Sequence, residues 1–299
     1  MLTLEGSPAR YVHAYTDTEQ LTPKMEQPRS VTPISAAPVA QASGAAPLVR
    51  ANGVTLQYKT PDHLVTATYR VSFDIFPAER YVILGPSGCG KSTILKAIAG
   101  FLKPVEGSFT LKGKPVTGPG PDRLMVFQEF DQLLPWKTVL GNVMFPMLEN
   151  RVSRTDAERR AREALAKVNL GDFVNVYPHM LSGGMKQRCA IARAMAMKPD
   201  VLMMDEPYAA LDALTRRKMQ DELLQLWNDI RFTLVFVTHS IEEAVILGSR
   251  ILVLSPHPGQ VRAELNSPGF AYDARSGAVF QELVQKISHM LFGDRGGSH

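Results

Sequence analysis

The stretch GPSGCGKST, residues 85–93, is enough to place the chain in a fold class. Gly85 to Ser92 fit the pattern G-x-x-x-x-G-K-[ST], in which glycines let a loop curl until several backbone N–H groups point inward at a phosphate. The apolar run YVILG (81–85) before it is typical of a buried strand, and KSTILKAIAGF (91–101) after it is typical of a helix. Strand, loop and helix in this order predict an α/β core that binds nucleotide phosphates.

Each position of this loop has an expected role. Lys91 supplies a positive charge for the outer phosphates, and Ser92 offers an oxygen to Mg²⁺. Cys89 occupies a variable position of the pattern, which favours a tolerated small residue over a nucleophile. The candidate phosphate site is the whole loop, made of Gly85, Pro86, Ser87, Gly88, Cys89, Gly90, Lys91, Ser92 and Thr93.

Polar residues follow three other apolar runs, at the points where predicted strands end: VLMM (201–204), RLMVF (123–127) and TLVFV (233–237). The carboxyl ends of parallel strands form the ligand edge of an open α/β sheet. There we expect Asp205 to bind Mg²⁺ directly or through water, and Glu206 to polarise an attacking water. Gln128, also a candidate magnesium ligand, and His239 can reach the γ-phosphate or its water. Taken singly, these residues fit solvated turns and loops equally well.

A second glycine-rich stretch, LSGGMKQR (181–188), has no second site to complete. A serine and two glycines followed by helix formers predict a tight turn at a helix N-terminus, where free N–H groups can bind an anion. Within one chain, such an anion site duplicates the phosphate loop.

Strand-like and helix-like runs alternate along most of residues 48–265. Half-buried strands are predicted at 54–58, 70–76 and 108–113, and fully buried strands at 81–85, 123–127, 201–204, 233–237 and 251–254. Helical patterns lie between several of them, for example at 215–230. This order predicts a parallel α/β sheet with an added antiparallel β layer.

Residues 129–198 break this alternation because they have helical patterns and no strand-like run. Thr155 and Glu158 stand at capping-box spacing at the start of a helix predicted over 155–168, and Pro199 ends another predicted over 184–197. The region predicts an all-helical subdomain inserted into the α/β core.

Composition excludes several classes of protein. The two cysteines, Cys89 and Cys189, form no disulfide or metal pattern, which fits a reducing compartment. With a net charge of +4 and no dense basic run, nothing argues for a nucleic-acid partner and none is expected, while a basic face toward a membrane or a partner stays open. Because the sequence has no apolar run of spanning length and no secretory signal, we expect any membrane role to depend on a partner.

The two ends of the chain differ in character. Residues 1–47 are rich in Pro, Ala, Ser, Thr and Gln and predict a flexible extension. Residues 266–299 form a tail in which 277–292 have helical spacing, with apolar positions Val279, Leu283, Ile287 and Met290. A helix packed on the core is the preferred interpretation, and a membrane-surface helix is the alternative.

Together the motifs resemble those of the ATP-binding cassette (ABC) ATPases. The phosphate loop, Gln128, LSGG (181–184), Asp205–Glu206 and His239 occur in that family's order within residues 48–265. The resemblance implies a P-loop NTPase (RecA-like) core that uses ATP and Mg²⁺. It also implies a head-to-tail dimer, in which Ser182, Gly183 and Gly184 of one copy cap the γ-phosphate bound by the other. Asp212 resembles the loop that crosses the dimer seam. Tyr58 matches the aromatic that stacks on adenine, although a packed strand residue is the alternative.

The resemblance also implies a membrane partner. In such ATPases the helical insertion contacts a permease, and here FDQLLPWKTVLGNVMF (130–145) offers the large apolar residues Phe130, Leu133, Leu134, Trp136 and Leu140 for its coupling helix. Core packing is the alternative for some of them. LLPWKTVLGNV (133–143) and PHPGQVRAEL (256–265) look like the importers of nitrate, sulfonates and taurine. A peripheral subunit at the cytoplasmic face of the cell membrane is expected, which serves a solute-binding protein indirectly.

Two other functions compete with a transport motor. A soluble cassette ATPase that acts on DNA or the ribosome usually has a long coiled-coil insertion, zinc-binding cysteines or two cassettes, and the sequence has none of these. In a small-molecule P-loop kinase, LSGG would have no function. The motifs therefore favour an ATPase that energises solute import through a separate permease.

Overall fold

The computed structural model describes residues 46–59, 63–127, 132–268 and 277–293 of the 299-residue chain. The strands are β1 (Val49–Lys59), β2 (Leu64–Ile75), β3 (Arg80–Leu84), β4 (Glu106–Leu111), β5 (Lys114–Pro115), β6 (Arg123–Val126), β7 (Val201–Asp205), β8 (Thr233–Thr238), β9 (Arg250–Leu254) and β10 (Val261–Asn266). The helices are α1 (Lys91–Ile98), α2 (Val139–Glu149), α3 (Arg154–Lys167), α4 (Gly183–Ala196), α5 (Ala213–Ile230), α6 (Ile241–Leu247) and α7 (Ala278–Phe292).

The larger sheet has the strand order β10-β9-β3-β8-β7-β6. The strands β9, β3, β8, β7 and β6 are parallel, as predicted, and β10 pairs antiparallel with β9 at one edge. Every residue of β7, β8 and β9 is buried, because layers cover both faces of the sheet. The parallel arrangement brings the carboxyl ends of β3, β6, β7 and β8 to one edge, where Asp205, Glu206 and His239 lie.

Alternate residues of each central strand pack against different layers. Tyr81 and Ile83 of β3 belong to a core shared with α1 and a second, four-stranded sheet of order β2-β1-β4-β5. Val82 and Leu84 belong to the core on the other face, which includes residues of α5, α6 and α7. The second sheet is the predicted antiparallel layer, and the fold is the predicted α/β class.

Between β6 and β7, the described residues 132–198 form α2, α3, α4 and two short 3-10 turns, and no strand. The three helices contact one another, with Met147, Ala161 and Leu165 fully buried among them. The predicted capping box at Thr155 and Glu158 is wrong. Helix α3 begins at Arg154, because the Ser153 hydroxyl accepts the N–H of Asp156 at 3.2 Å and so provides an earlier N-cap.

Helix α7 lies on the core, as the preferred interpretation of the tail expected. Phe280, Ile287, Met290 and Leu291 are buried, and the helix contacts α6. Residues 1–45 of the predicted extension, and 269–276 and 294–299 of the tail, lie outside the described residues. Among the helices that are described, none combines the length and the apolar character needed to cross a bilayer.

Candidate active site

The phosphate loop lies between β3 and α1, as the motif predicts. Gly88 and Gly90 have φ angles of 81° and 91°, in the left-handed region that favours glycine. A Cβ on Gly90 would also lie 2.6 Å from Thr68 Cγ2, so the loop fits closely against β2. Gly90 directly precedes the first residue of α1, and the free N–H groups of that helix end therefore suit an anion.

The Lys91 side chain is buried and lies across the loop. Its Nζ donates to the carbonyl oxygens of Gly85 at 3.0 Å and Pro86 at 3.1 Å. The same Nζ lies 3.6 Å from Glu206 Oε1. The cation is therefore fixed between the phosphate loop and the end of β7, where it can neutralise phosphate charge.

Ser92 and Asp205 form a pair of oxygen ligands. The Ser92 hydroxyl donates to Asp205 Oδ1 at 2.8 Å. Burial raises the pKa of the Asp205 carboxyl, and the hydrogen bond from Ser92 opposes that effect. A hydroxyl and a carboxylate in contact suit Mg²⁺, which takes oxygen ligands and keeps several from water and phosphate. Gln128, the third candidate magnesium ligand, lies outside the described residues.

Glu206 contacts a second predicted residue, His239. His239 Nδ1 lies 2.9 Å from Glu206 Oε2. Glu206 also has a φ of 43°, unusual for a residue with a side chain, and its N–H donates to Val237 O at 3.1 Å on β8. Strained backbone of this kind is common at functional sites. The imidazole can fix the orientation of the Glu206 carboxylate, which suits a general base because such a group must be held within reach of the proton that it takes.

Lys91, Ser92 and Glu206 border one cleft of about 470 Å³, whereas Asp205 and His239 are not among its lining residues. Its lining consists of Tyr58, Ala67, Ser87, Gly88, Gly90, Lys91, Ser92, Thr93, Lys96, Leu102 and Glu206. The Tyr58 side chain lies on β1 and is 44% exposed, which leaves it available to stack on a base. The described part of the lining contains no residue of 181–188.

The comparisons with known proteins agree with this geometry. A family model described as "ABC transporter" matches residues 68–209. The taurine import ATP-binding protein TauB of Rhizobium johnstonii is 47% identical over 235 residues, which are 76% of this chain and 89% of that protein. The chain belongs to the ABC transporter family. It is therefore an ATP-binding and ATP-hydrolysing cassette.

Other relatives extend the comparison. The bicarbonate transport ATP-binding protein CmpD of Synechocystis sp. is 44% identical over 207 residues, which are 69% of this chain and 73% of that protein. The dimeric ATP-binding cassette MJ0796, solved in a post-hydrolysis state bound to ADP and Pi, matches with a TM-score of 0.64 and 35% identity. That match covers 74% of this chain and 100% of the other. These relatives favour the transport hypothesis over a soluble ATPase that acts on nucleic acid or the ribosome.

The LSGG residues of the cassette lie at the start of α4. The Ser182 hydroxyl accepts the N–H of Met185 at 3.3 Å and caps the helix, whose first residues are Gly183 and Gly184. A Cβ on Gly184 would meet Thr215 Cγ2 at 3.5 Å, an ordinary contact. The fold of one chain therefore gives no steric reason for glycine at 184.

Asp212 has a local role within one chain, which the sequence analysis did not predict. It caps α5, because its Oδ1 accepts the N–H of Leu214 at 3.1 Å and of Thr215 at 3.0 Å. The hydrogen bonds from Thr215 lower the pKa of the Asp212 carboxyl. Its side chain remains exposed, so the cap leaves it accessible to a second copy.

The apolar residues predicted for permease docking divide between core and surface. Leu133 is buried and Leu134 and Leu140 are half-buried, so core packing accounts for Leu133. Trp136 is 71% exposed. Phe130 lies outside the described residues.

Sequence reasoning missed the contacts behind the phosphate loop. The N–H of Gly259 donates to Ala67 O at 2.9 Å, and Gly259 O accepts the N–H of Tyr69 at 2.9 Å. A Cβ on Gly259 would lie 2.1 Å from the carbonyl oxygen of Cys89. The turn PHPG (256–259) therefore packs against the back of the phosphate loop. In the sequence this stretch stood out only for its resemblance to importers, and Gly259 was the one signal for the contact.

Proposed function

We propose that the cassette energises the uptake of a small oxyanion through a separate membrane permease. ATP hydrolysis is the step that the geometry supports best, and the observation that carries it is Glu206, placed between Lys91 and His239. The choice of solute class is supported by relatives named for taurine and bicarbonate, since both solutes carry an oxyanion group.

In the proposed reaction, the phosphate loop and Lys91 bind the β- and γ-phosphates of ATP. Glu206 polarises the attacking water, and His239, hydrogen-bonded to the other carboxylate oxygen, fixes the orientation of Glu206. Mg²⁺ bound by Ser92 and Asp205, with Gln128 as a further ligand, would neutralise charge that develops on the phosphates. Tyr58 stacks on the adenine.

The proposed active form is a head-to-tail dimer. Ser182, Gly183 and Gly184 of one copy cap the γ-phosphate held by the other, and Asp212 crosses the seam beside them. This arrangement is supported by the position of LSGG outside the cleft of its own chain and by the dimeric structure of MJ0796. Closure on ATP and opening after hydrolysis then form a ligand-driven population shift.

The proposed permease contact is the exposed apolar surface around Trp136. The N–H groups of Val139 and Leu140 donate to Val176 O at 2.8 Å and Val174 O at 2.9 Å, which brings residues 174–180 alongside the start of α2. Tyr177 and Met180 in that segment are exposed, like Trp136. We place the cassette at the cytoplasmic face of the membrane, bound to the permease and serving a solute-binding protein indirectly.

Reconstitution tests this proposal. The full chain would be purified with the permease that it retains from membranes of its source cells and placed in proteoliposomes with ATP inside and the solute-binding protein of the same cells outside. Uptake of taurine, bicarbonate and nitrate would then be measured, with Glu206→Gln as the inactive control. We expect ATP-dependent uptake of at least one oxyanion. ATP hydrolysis stimulated by DNA or ribosomes, without a retained permease, would overturn the proposal.

A further inference from the structure

Glu243 of α6 is a buried carboxylate that the proposed reaction does not use. Only 7% of the residue is exposed. Burial raises the pKa of its carboxyl, and hydrogen bonds from Thr238 and Gln220 oppose that effect. Because an unpaired buried carboxylate is costly, its two partners are a necessary part of its environment.

One oxygen of Glu243 fixes the backbone that carries His239. The Thr238 hydroxyl donates to Glu243 Oε2 at 2.5 Å and accepts the N–H of Ser240 at 3.0 Å. The Ser240 hydroxyl in turn accepts the N–H of Glu243 at 3.3 Å. These three hydrogen bonds join residues 238, 240 and 243 in a closed ring, and His239 belongs to the backbone segment that the ring spans.

The other oxygen of Glu243 contacts α5. Gln220 Nε2 donates to Glu243 Oε1 at 3.1 Å, and Gln220 is itself buried. Gln220 shares one face of α5 with Arg216, which lies four residues earlier in the helix.

This face of α5 holds the loop that follows Glu206. Arg216 Nε donates to Tyr208 O at 3.2 Å, and Arg216 Nη2 donates to Leu211 O at 2.8 Å. Asp212 caps the same helix from the end of that loop. The hydrogen bond between Gln220 and Glu243 therefore connects two parts of the structure. One is the helix face that holds the 207–212 loop, and the other is the hydrogen-bonded segment 238–243 that contains His239.

We propose that Gln220 and Glu243 are positioning residues for ATP hydrolysis, which tie the backbone of His239 to the helix face that holds the 207–212 loop. The inference rests on the proposed roles of Glu206 and His239 and is independent of the solute. Neither residue borders the nucleotide cleft, so their contribution is to kcat and not to ATP affinity. Misplacement by about 1 Å can cost up to about 10²-fold in rate.

The first test replaces Gln220 by methionine, which keeps length and removes the donor to Glu243. We expect Gln220→Met to lower kcat for ATP about tenfold and to change the Kd of ATP by less than about twofold. Gln225→Met is the matched control, because Gln225 is exposed on the same helix, and it should change neither value. Both are measured on the full chain, with thermal melting to establish folding. An unchanged kcat in Gln220→Met, or equal losses in kcat and ATP affinity, would overturn the inference.

The second test exchanges the two side chains. In the double variant Gln220→Glu/Glu243→Gln, the amide at 243 can accept from Thr238 and donate to the carboxylate at 220. We expect Gln220→Glu alone to lower kcat, because two carboxylates then face each other, and the exchange to restore kcat to within about threefold. A folded double variant with no recovery contradicts the inference. The variant His239→Ala distinguishes a failure of this inference from a failure of the proposed function. If His239→Ala leaves kcat unchanged, the proposed role of His239 is wrong as well. If His239→Ala lowers kcat but Gln220→Met does not, only the positioning role is rejected.

Discussion

Glu206 combines three features that its place after an apolar strand did not reveal. It has a positive φ, a cation 3.6 Å from one oxygen and an imidazole nitrogen 2.9 Å from the other. The motif order gave the residue its expected role, but the sequence contains no signal for the backbone conformation. In that conformation the N–H of Glu206 donates to Val237 O of the neighbouring strand at 3.1 Å.

The change Glu206→Gln tests the role of the carboxylate. We expect kcat to fall by at least about 10²-fold, because the amide cannot accept a proton from the attacking water. ATP affinity should be kept, since the phosphate loop is intact. Steady-state ATPase assays and calorimetric titration with ATP check the two parts. If turnover survives, Glu206 is not the base.

Gly259 is expected to control ATP affinity without touching ATP. It lies outside the left-handed region, so alanine has no backbone penalty there. The cost of Gly259→Ala comes from its Cβ, which would stand 2.1 Å from Cys89 O and push the phosphate loop. We expect the Kd of ATP to rise about tenfold, because overpacking of this kind costs about 1–3 kcal/mol.

The matched control for this prediction is Gly118→Ala, where no described atom lies within 4 Å of the new Cβ. The control should bind ATP like the unchanged chain in the same calorimetric titration. If Gly259→Ala also binds ATP normally, the turn 256–259 does not set the shape of the loop.

Among the helices and strands, those with long or fully apolar patterns were predictable. The central strands appeared as continuous apolar runs because both faces of the sheet are covered, as for β7 and β8. The elements that were missed include α6 and β10. Helix α6 has seven residues, too few to establish a period, and β10 depends on pairing with β9 rather than on an apolar pattern of its own. The contacts of Gln220 with Glu243 join residues 23 apart in sequence, and no local pattern marks them.

The start of the helical subdomain provides a prediction for the permease contact. Trp136 is mostly exposed, so Trp136→Ala should leave folding and the ATPase rate of the isolated cassette unchanged. We expect it to weaken permease binding by about 2 kcal/mol, the cost typical of a central aromatic anchor. Co-purification with the permease and coupled ATPase assays measure the loss.

Leu133→Ala is the contrasting variant, because Leu133 is buried in the core. Leu133→Ala should lower the free energy of unfolding by about 2–5 kcal/mol. It should weaken permease binding only to the extent that the cassette misfolds. Retained permease coupling in Trp136→Ala would place the contact elsewhere on the cassette.

Taken as a whole, one cassette has two candidate anion-binding elements. Its cleft holds the phosphate loop, Tyr58 and Glu206, whereas the helix end formed by Ser182, Gly183 and Gly184 lies outside the lining of that cleft in the described residues. The free N–H groups of such a helix end attract anions. This geometry fits the proposed dimer, in which a second copy completes each site.

This arrangement predicts dimerisation that depends on ATP. The Glu206→Gln variant should form a dimer when ATP is added, because trapped γ-phosphate is bound from both copies, and it should be a monomer without nucleotide. Adding Gly184→Ala should raise the dissociation constant of the dimer about tenfold. The new methyl group makes only ordinary contacts inside its own chain, but in the proposed dimer it would stand at the γ-phosphate. Sedimentation velocity with and without ATP measures both effects, and Gly118→Ala in the same background serves as the control. The shared site would be refuted if the Glu206→Gln cassette binds ATP but stays monomeric at saturating ATP. The proposed reason for a second glycine-rich anion site in the chain would then be wrong as well.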